Sequence, residues 1–209
     1  MANALLYEKA ASCYYQARLM ADAVRCYRLA GAHRRAADLS VSLGEFREAA
    51  ADYAQCGMQE LAAWLLVHRA EDPQAARAMI TELAPVAAPG SSSRQRSAAP
   101  ELSPRQRLVL ARCDIADGTT LAAVLAVLDD VCAELAEPAV PYDRVVEEWA
   151  VAVAEQAGRF DQVALVFAAS VRGMRRGAGQ RWADWARRVL GTEITIPALA
   201  GPDARAVAR

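Results

Sequence analysis

Small and apolar residues recur at 13-residue intervals along the first part of the chain. Gly31, Gly44 and Gly57 lie 13 residues apart, and a pair of small residues follows each of them by five positions. The frame extends in both directions to give six units, with the small pairs at 10–11, 23–24, 36–37, 49–50, 62–63 and 75–76. Because glycine accepts the left-handed conformation that ends a helix, each interval predicts a helix of about 11 residues and a short turn.

The small pairs predict where neighbouring helices cross. Alanine at mid-helix removes side-chain bulk, so two helix axes can approach closely. Helices this short are marginal alone and gain their stability by stacking on neighbours. Larger side chains one turn from the pairs are expected to fill the grooves between helices and to be mostly buried, and they are Tyr14, Tyr27, Leu39, Leu43, Tyr53, Leu65 and Leu66.

The pattern fails between Pro85 and Pro100 and then resumes in a different form. Ser103 and Pro104 begin a predicted helix that reaches about Ala116, because serine caps a helix and proline suits its first turn. A longer helix is predicted next, with an apolar stripe at three- and four-residue spacing formed by Leu121, Val124, Leu125, Leu128 and Val131.

Short hairpins then return. Residues 158–164 repeat the layout of residues 44–50, and a last helix is predicted from Gln180 to Leu190. We therefore expect an all-α fold of stacked antiparallel hairpins in two helical parts. The predicted organisation is a short-helix repeat region, a flexible linker rich in Pro, Ser and Ala, a second helical region and an extended tail, over residues 1–83, 84–103, 104–191 and 192–209.

One recurring combination resembles a known superfamily. Residues 43–53 join a turn glycine, a small pair and flanking aromatic residues, and residues 157–164 repeat that arrangement. The combination resembles the tetratricopeptide-like superfamily of α-solenoids, here with a shorter hairpin. The resemblance implies a curved stack of hairpins whose faces bind peptides or proteins. It names no partner and implies no particular ligand residues.

Composition and charge narrow the class of protein. Alanine makes up about a quarter of the chain, and Lys9 is the sole lysine, a bias we attribute to the high-GC codon usage of many bacteria. The net charge of −1 gives no overall attraction to nucleic acid or to an anionic membrane. No run of 18 apolar residues and no signal-peptide pattern occurs, so we expect a cytoplasmic protein without a membrane partner.

The residue types that carry catalysis or bind metals are sparse. Five cysteines form no CxxC pair, which excludes a zinc or disulfide framework and favours small buried thiols. His33 and His68 are far apart, and no nucleotide-binding or hydrolase motif occurs. The adjacent pairs Asp129–Asp130 and Glu147–Glu148 are interpreted as solvated helix faces, because neighbouring helix residues point about 100° apart. We expect no catalytic residues, no metal and no cofactor.

Charge is nevertheless uneven near the end of the chain, with a net charge of +5 over residues 158–191. Arginines surround two tryptophans there, and the candidate partner-binding residues are Arg172, Arg175, Arg176, Arg181, Trp182, Trp185 and Arg188. Guanidinium groups suit phosphate or carboxylate, and an indole can stack on a base. The alternative is that both tryptophans pack the closing helix while the arginines stay solvated. A second candidate is His33, Arg34 and Arg35.

These features favour a non-catalytic protein–protein interaction module that acts as an adaptor, a scaffold or a subunit of an assembly. The partner would be another protein or peptide, and the arginines suggest an acidic one. The alternative is binding of nucleic acid or another phosphate ligand through the arginine- and tryptophan-rich hairpin. Self-association is a further alternative, because a solenoid end can expose an apolar face.

Overall fold

The computed structural model describes residues 2–83, 102–192 and 194. Within those residues the chain is all-helical, without a strand, and neighbouring helices pack in a stacked arrangement, as expected. The chain forms two compact units, residues 1–118 and 119–209. None of the described helices is long and apolar enough to cross a membrane. The extended tail expected over 192–209 lies almost wholly outside the described residues.

The first unit is a succession of short helices. It contains α1 (Ala2–Gln16), α2 (Met20–Leu29), α3 (His33–Leu43), α4 (Phe46–Gln55), α5 (Gln59–His68), α6 (Pro73–Leu83) and α7 (Pro104–Ala116). The starts of α2 to α5 are 13 residues apart, which confirms the predicted interval. The start of α6 comes 14 residues after that of α5, because the turn between them is one residue longer.

The predicted crossings are buried. Both members of the small pairs at 23–24, 36–37, 49–50 and 62–63 are at most 3% exposed. At the sixth unit the longer turn shifts the frame, so Ala76 is the first member of the pair and Arg77 is the second. Arg77 binds Asp114 and Asp117 of the α7 end, at 2.6 and 2.8 Å. An ion pair thus replaces an alanine contact where the repeat stops.

Turn glycines end the helices in the predicted manner. Gly31, Gly44 and Gly57 have φ values of 72°, 80° and 79°. The equivalent turns beside them use Arg18 and Glu71, which also have positive φ. In the first four turns the next amide donates to a carbonyl five residues back, closing the helix end, as in Leu19 to Tyr14, Ala32 to Tyr27, Glu45 to Ser40 and Met58 to Tyr53.

Replacing Gly57 with alanine is expected to lower the free energy of unfolding by about 1–2 kcal/mol, because a Cβ disfavours the left-handed conformation. No atom lies within 4 Å of the position that this Cβ would take, so the cost is conformational and not steric. Gly57→Asn is the matched control and should cost less, since asparagine enters that region more readily. Urea denaturation followed by circular dichroism measures both, and equal losses for the two variants would contradict the explanation.

The side chains expected to fill the grooves between helices divide into two groups. Leu39, Tyr53, Leu65 and Leu66 are buried, as predicted. Tyr27 is partly buried, whereas Tyr14 and Leu43 are exposed, and for those two the prediction is wrong. The expectation of buried thiols also fails for Cys13 and Cys56, which are exposed, while Cys26 and Cys113 are buried.

Helix α7 belongs to the first unit. Ser103 caps it through a capping box with Gln106, as the sequence indicated, and the Ser103 hydroxyl also donates to Glu60 at 2.6 Å. The helix packs against α5 and α6. The boundary between the compact units therefore follows Gly118, whereas the sequence placed this helix in the C-terminal region; residues 84–101 of the expected linker lie outside the described residues.

The second unit is built around one central helix. It contains α8 (Leu121–Ala136), α9 (Arg144–Gln156), α10 (Phe160–Arg172) and α11 (Ala178–Leu190). Helix α10 packs against α8, α9 and α11, and its buried side includes Val163, Val166 and Phe167. Helices α9 and α11 therefore flank α10 and leave an open strip between them.

Candidate groove between helices α9 and α11

The strip between α9 and α11 is a groove of about 470 Å³ in the second unit, called here the α9–α11 groove. It is lined by Glu147, Glu148, Val151, Ala152, Glu155, Phe167, Arg181, Asp184, Trp185 and Arg188. The α9 members from Glu148 to Glu155, and the α11 members from Arg181 to Arg188, each fall at relative positions 0, +3, +4 and +7. That spacing puts each set on one face of its helix.

A buried ion pair joins the two helices at one end of the groove. Glu147 is 1% exposed and accepts from Arg181 Nε at 2.5 Å and from its terminal nitrogen at 2.9 Å. The Tyr142 hydroxyl lies 3.1 Å from Glu147 and 2.9 Å from Arg181. Burial and the Glu147 charge raise the pKa of Tyr142 to about 12. The interpretation of Glu147 as a solvated carboxylate is therefore wrong, although its neighbour Glu148 is exposed.

The two tryptophans pack inside the unit. Trp182 and Trp185 are 4% and 3% exposed and stack on each other with ring centroids 5.4 Å apart. Phe167 meets Trp182 edge-on, and Phe160 meets Trp185 edge-on. Each indole N–H has a partner, because Trp182 donates to the Ile194 carbonyl and Trp185 donates to Glu155. Stacking of a nucleic-acid base on these rings would require them to leave the core.

The candidate arginines do not converge on one site. Arg175 donates to the carbonyls of Leu135 and Glu137 at the end of α8, where a helix exposes unpaired carbonyl groups. Arg181 is held by Glu147, whereas Arg188 lines the groove and Arg172 and Arg176 are exposed on the turn before α11. The sequence grouped these side chains by proximity along the chain, and the fold gives them separate partners.

The second sequence candidate lies in the first unit and joins three helices. His33 Nδ1 lies 3.1 Å from Asp52, and Arg28 Nε donates to the same carboxylate at 2.7 Å. Asp52 is buried, so this contact holds α2, α3 and α4 together. Arg34 and Arg35 are exposed, and Arg35 forms an ion pair with Glu8 of α1. His33 is thus a packing residue, and the structure brings no metal-binding group of three His, Cys, Asp or Glu residues together in its described part.

The first unit has a smaller groove of the same kind. It measures about 290 Å³ and is lined by Tyr15, Tyr27, Arg35, Asp38, Leu39 and Ser42, from α1, α2 and α3. Asp38 also accepts from the buried Tyr53 hydroxyl at 2.6 Å, and desolvation raises the pKa of Tyr53 above its usual value. In both units the groove therefore lies between alternate helices, with the intervening helix contributing to it.

No known protein family, curated protein or solved structure matches the chain. The α9–α11 groove is accordingly interpreted from its own geometry.

Proposed function

We propose that the protein is a non-catalytic interaction module that holds a segment of another protein in the α9–α11 groove, as an adaptor, a scaffold or a subunit of an assembly. The groove itself carries the proposal. It combines apolar lining from Val151, Ala152 and Phe167 with a rim of charged side chains. An apolar floor supplies affinity by desolvation, and a charged rim supplies orientation and selectivity among partners.

Two further observations support binding over catalysis. The most deeply buried charged groups, Glu147 and Asp52, are neutralised by arginines that link neighbouring helices. They serve the packing of the helices and do not face a reacting centre. The hairpins also resemble tetratricopeptide-like α-solenoids, for which peptide or protein binding is the common role.

The proposal is tested by closing the groove. Ala152→Arg places a long side chain on the groove wall, whereas Ala126→Arg makes the same change on an exposed face of α8 and is the control. Affinity capture with each tagged protein from cells that naturally produce it, followed by mass spectrometry, should retain a protein with the parent chain and with Ala126→Arg. That protein should be lost with Ala152→Arg, and its purified form should bind the parent chain directly.

Circular dichroism first establishes that both variants remain folded. Capture that is identical for the two variants would reject the groove as the binding site. Retention that disappears after nuclease treatment, and that declines steeply with salt, would instead favour the nucleic-acid alternative.

A further inference from the structure

The rim of the α9–α11 groove carries more acid than base. Glu147 and Arg181 neutralise each other in a buried pair. The remaining charged lining consists of Glu148, Glu155, Asp184 and Arg188, so three carboxylates face one guanidinium. The groove therefore has a local excess of two negative charges, although the surrounding segment of chain is basic.

Each of these three carboxylates keeps acceptor capacity. Glu148 accepts from Arg144 through Oε1, and Asp184 accepts from Gln180 through Oδ1. The Glu155 contacts, from Trp185 Nε1 and from Arg188 at 3.8 Å, also use Oε1 alone. Across the described residues, the second oxygen of each carboxylate has no hydrogen-bond partner. Three acceptors thus remain for the donors of a bound segment.

The order of these groups along α9 specifies a spacing. Glu148 and Glu155 are seven residues apart, with Val151 and Ala152 between them. Seven residues of helix span roughly 10 Å, or about two turns. A partner helix lying along the groove would place an apolar side chain over the centre and one basic side chain near each carboxylate, at relative positions 0, +3 or +4, and +7.

We infer that the α9–α11 groove takes an amphipathic helical segment in which an apolar anchor stands between two basic residues seven positions apart. This inference rests on the proposed function and adds the chemistry of the partner. It departs from the acidic partner suggested by the sequence, because Arg172 and Arg176 do not line the groove and Arg181 is already paired with Glu147.

Synthetic peptides test the inference on the full chain. The probe is a blocked, alanine-rich peptide of about 15 residues, long enough to form a helix, with arginines seven positions apart and leucines at the two central positions. A second peptide replaces both arginines with glutamates, and a third has the composition of the probe in scrambled order. Isothermal titration should show the arginine peptide binding at least about tenfold more tightly than either of the others.

Variants of the protein then locate the charge effect. Glu148→Gln with Glu155→Gln preserves side-chain shape and keeps an acceptor for Trp185, and it should weaken binding of the arginine peptide by about tenfold. Asp129→Asn with Asp130→Asn removes the same charge from an exposed face of α8 and should leave the affinity unchanged. Higher salt should weaken binding to the parent chain more than to the Glu148 and Glu155 variant.

The outcomes separate the inference from the proposed function. Tighter binding of the glutamate peptide, blocked by Ala152→Arg, would overturn the basic partner and leave the groove as a binding site. Equal affinity of the arginine peptide for both double variants would overturn the role of the carboxylates. Binding of no peptide would overturn the inference, and the proposed function would fall only if protein capture were also insensitive to Ala152→Arg.

Discussion

Replacing Arg181 with methionine is expected to lower the free energy of unfolding by about 3 kcal/mol, because it leaves the Glu147 carboxylate buried without its counter-ion. Methionine keeps much of the side-chain length, so the loss is mainly electrostatic. Arg181 also donates to the Tyr142 hydroxyl and to the Arg176 carbonyl, and those contacts would be lost together. Urea denaturation followed by tryptophan fluorescence measures the change, since Trp182 and Trp185 belong to the same helix.

Arg188→Met is the matched control on that helix. Its side chain is 72% exposed and lies 3.8 Å from Glu155, so the change should cost less than about 1 kcal/mol. Adding Glu147→Leu to Arg181→Met removes the unpaired charge and should recover part of the stability, because a buried ion pair can be replaced by apolar residues. A single Arg181 variant as stable as the Arg188 variant would show that the buried pair contributes no net stability.

Replacing Gly173 with alanine is expected to destabilise the second unit by about 1–3 kcal/mol or more, as overpacking in a filled contact does. A Cβ at this position would lie 2.0 Å from the Leu135 carbonyl oxygen, which belongs to the backbone at the end of α8. The glycine has an ordinary φ of −71°, so the cost arises from the steric contact alone. Arg175, which donates to the same carbonyl, should also lose its position.

Gly179→Ala provides the comparison for Gly173. Gly179 lies in α11, has a φ outside the left-handed region, and has no atom within 4 Å of an added Cβ. Alanine there should leave the free energy of unfolding unchanged or raise it by roughly 0.5–1 kcal/mol, because alanine favours the helix. Thermal unfolding of the two variants measures the difference, and a Gly173 variant that unfolds at the parent temperature would contradict the steric explanation.

The repeated features of the fold were predictable because each depends on local chemistry. The turn at Gly44 follows from the conformations open to glycine, and the crossing at Ala49 and Ala50 follows from the small size of alanine. The start of α7 follows from Ser103 and Pro104, whose side chains act within one turn. The shift at Ala76 was not predictable, since the extra residue in the preceding turn leaves no mark on the spacing of small residues.

The candidate site was predictable only in part, because its contacts join residues distant in sequence. The stripe from Glu148 to Glu155, and that from Arg181 to Arg188, can each be recognised by helical spacing. Their pairing across a groove depends on α10, which separates α9 from α11. The burial of Glu147 similarly depends on Arg181, 34 positions further along the chain. Local spacing predicted a solvated carboxylate, and tertiary packing produced the opposite environment.

The constant interval between helix starts in the first unit makes its hairpins interchangeable. A 26-residue segment duplicated in frame between α2 and α5 would meet the same small crossings and the same turn conformation on both sides, so the array could lengthen without new core side chains. The 14-residue step before α6 removes this equivalence, because Arg77 then takes the place of a crossing alanine. That single added residue gives the array a defined end, with an ionic closure where growth by duplication stops.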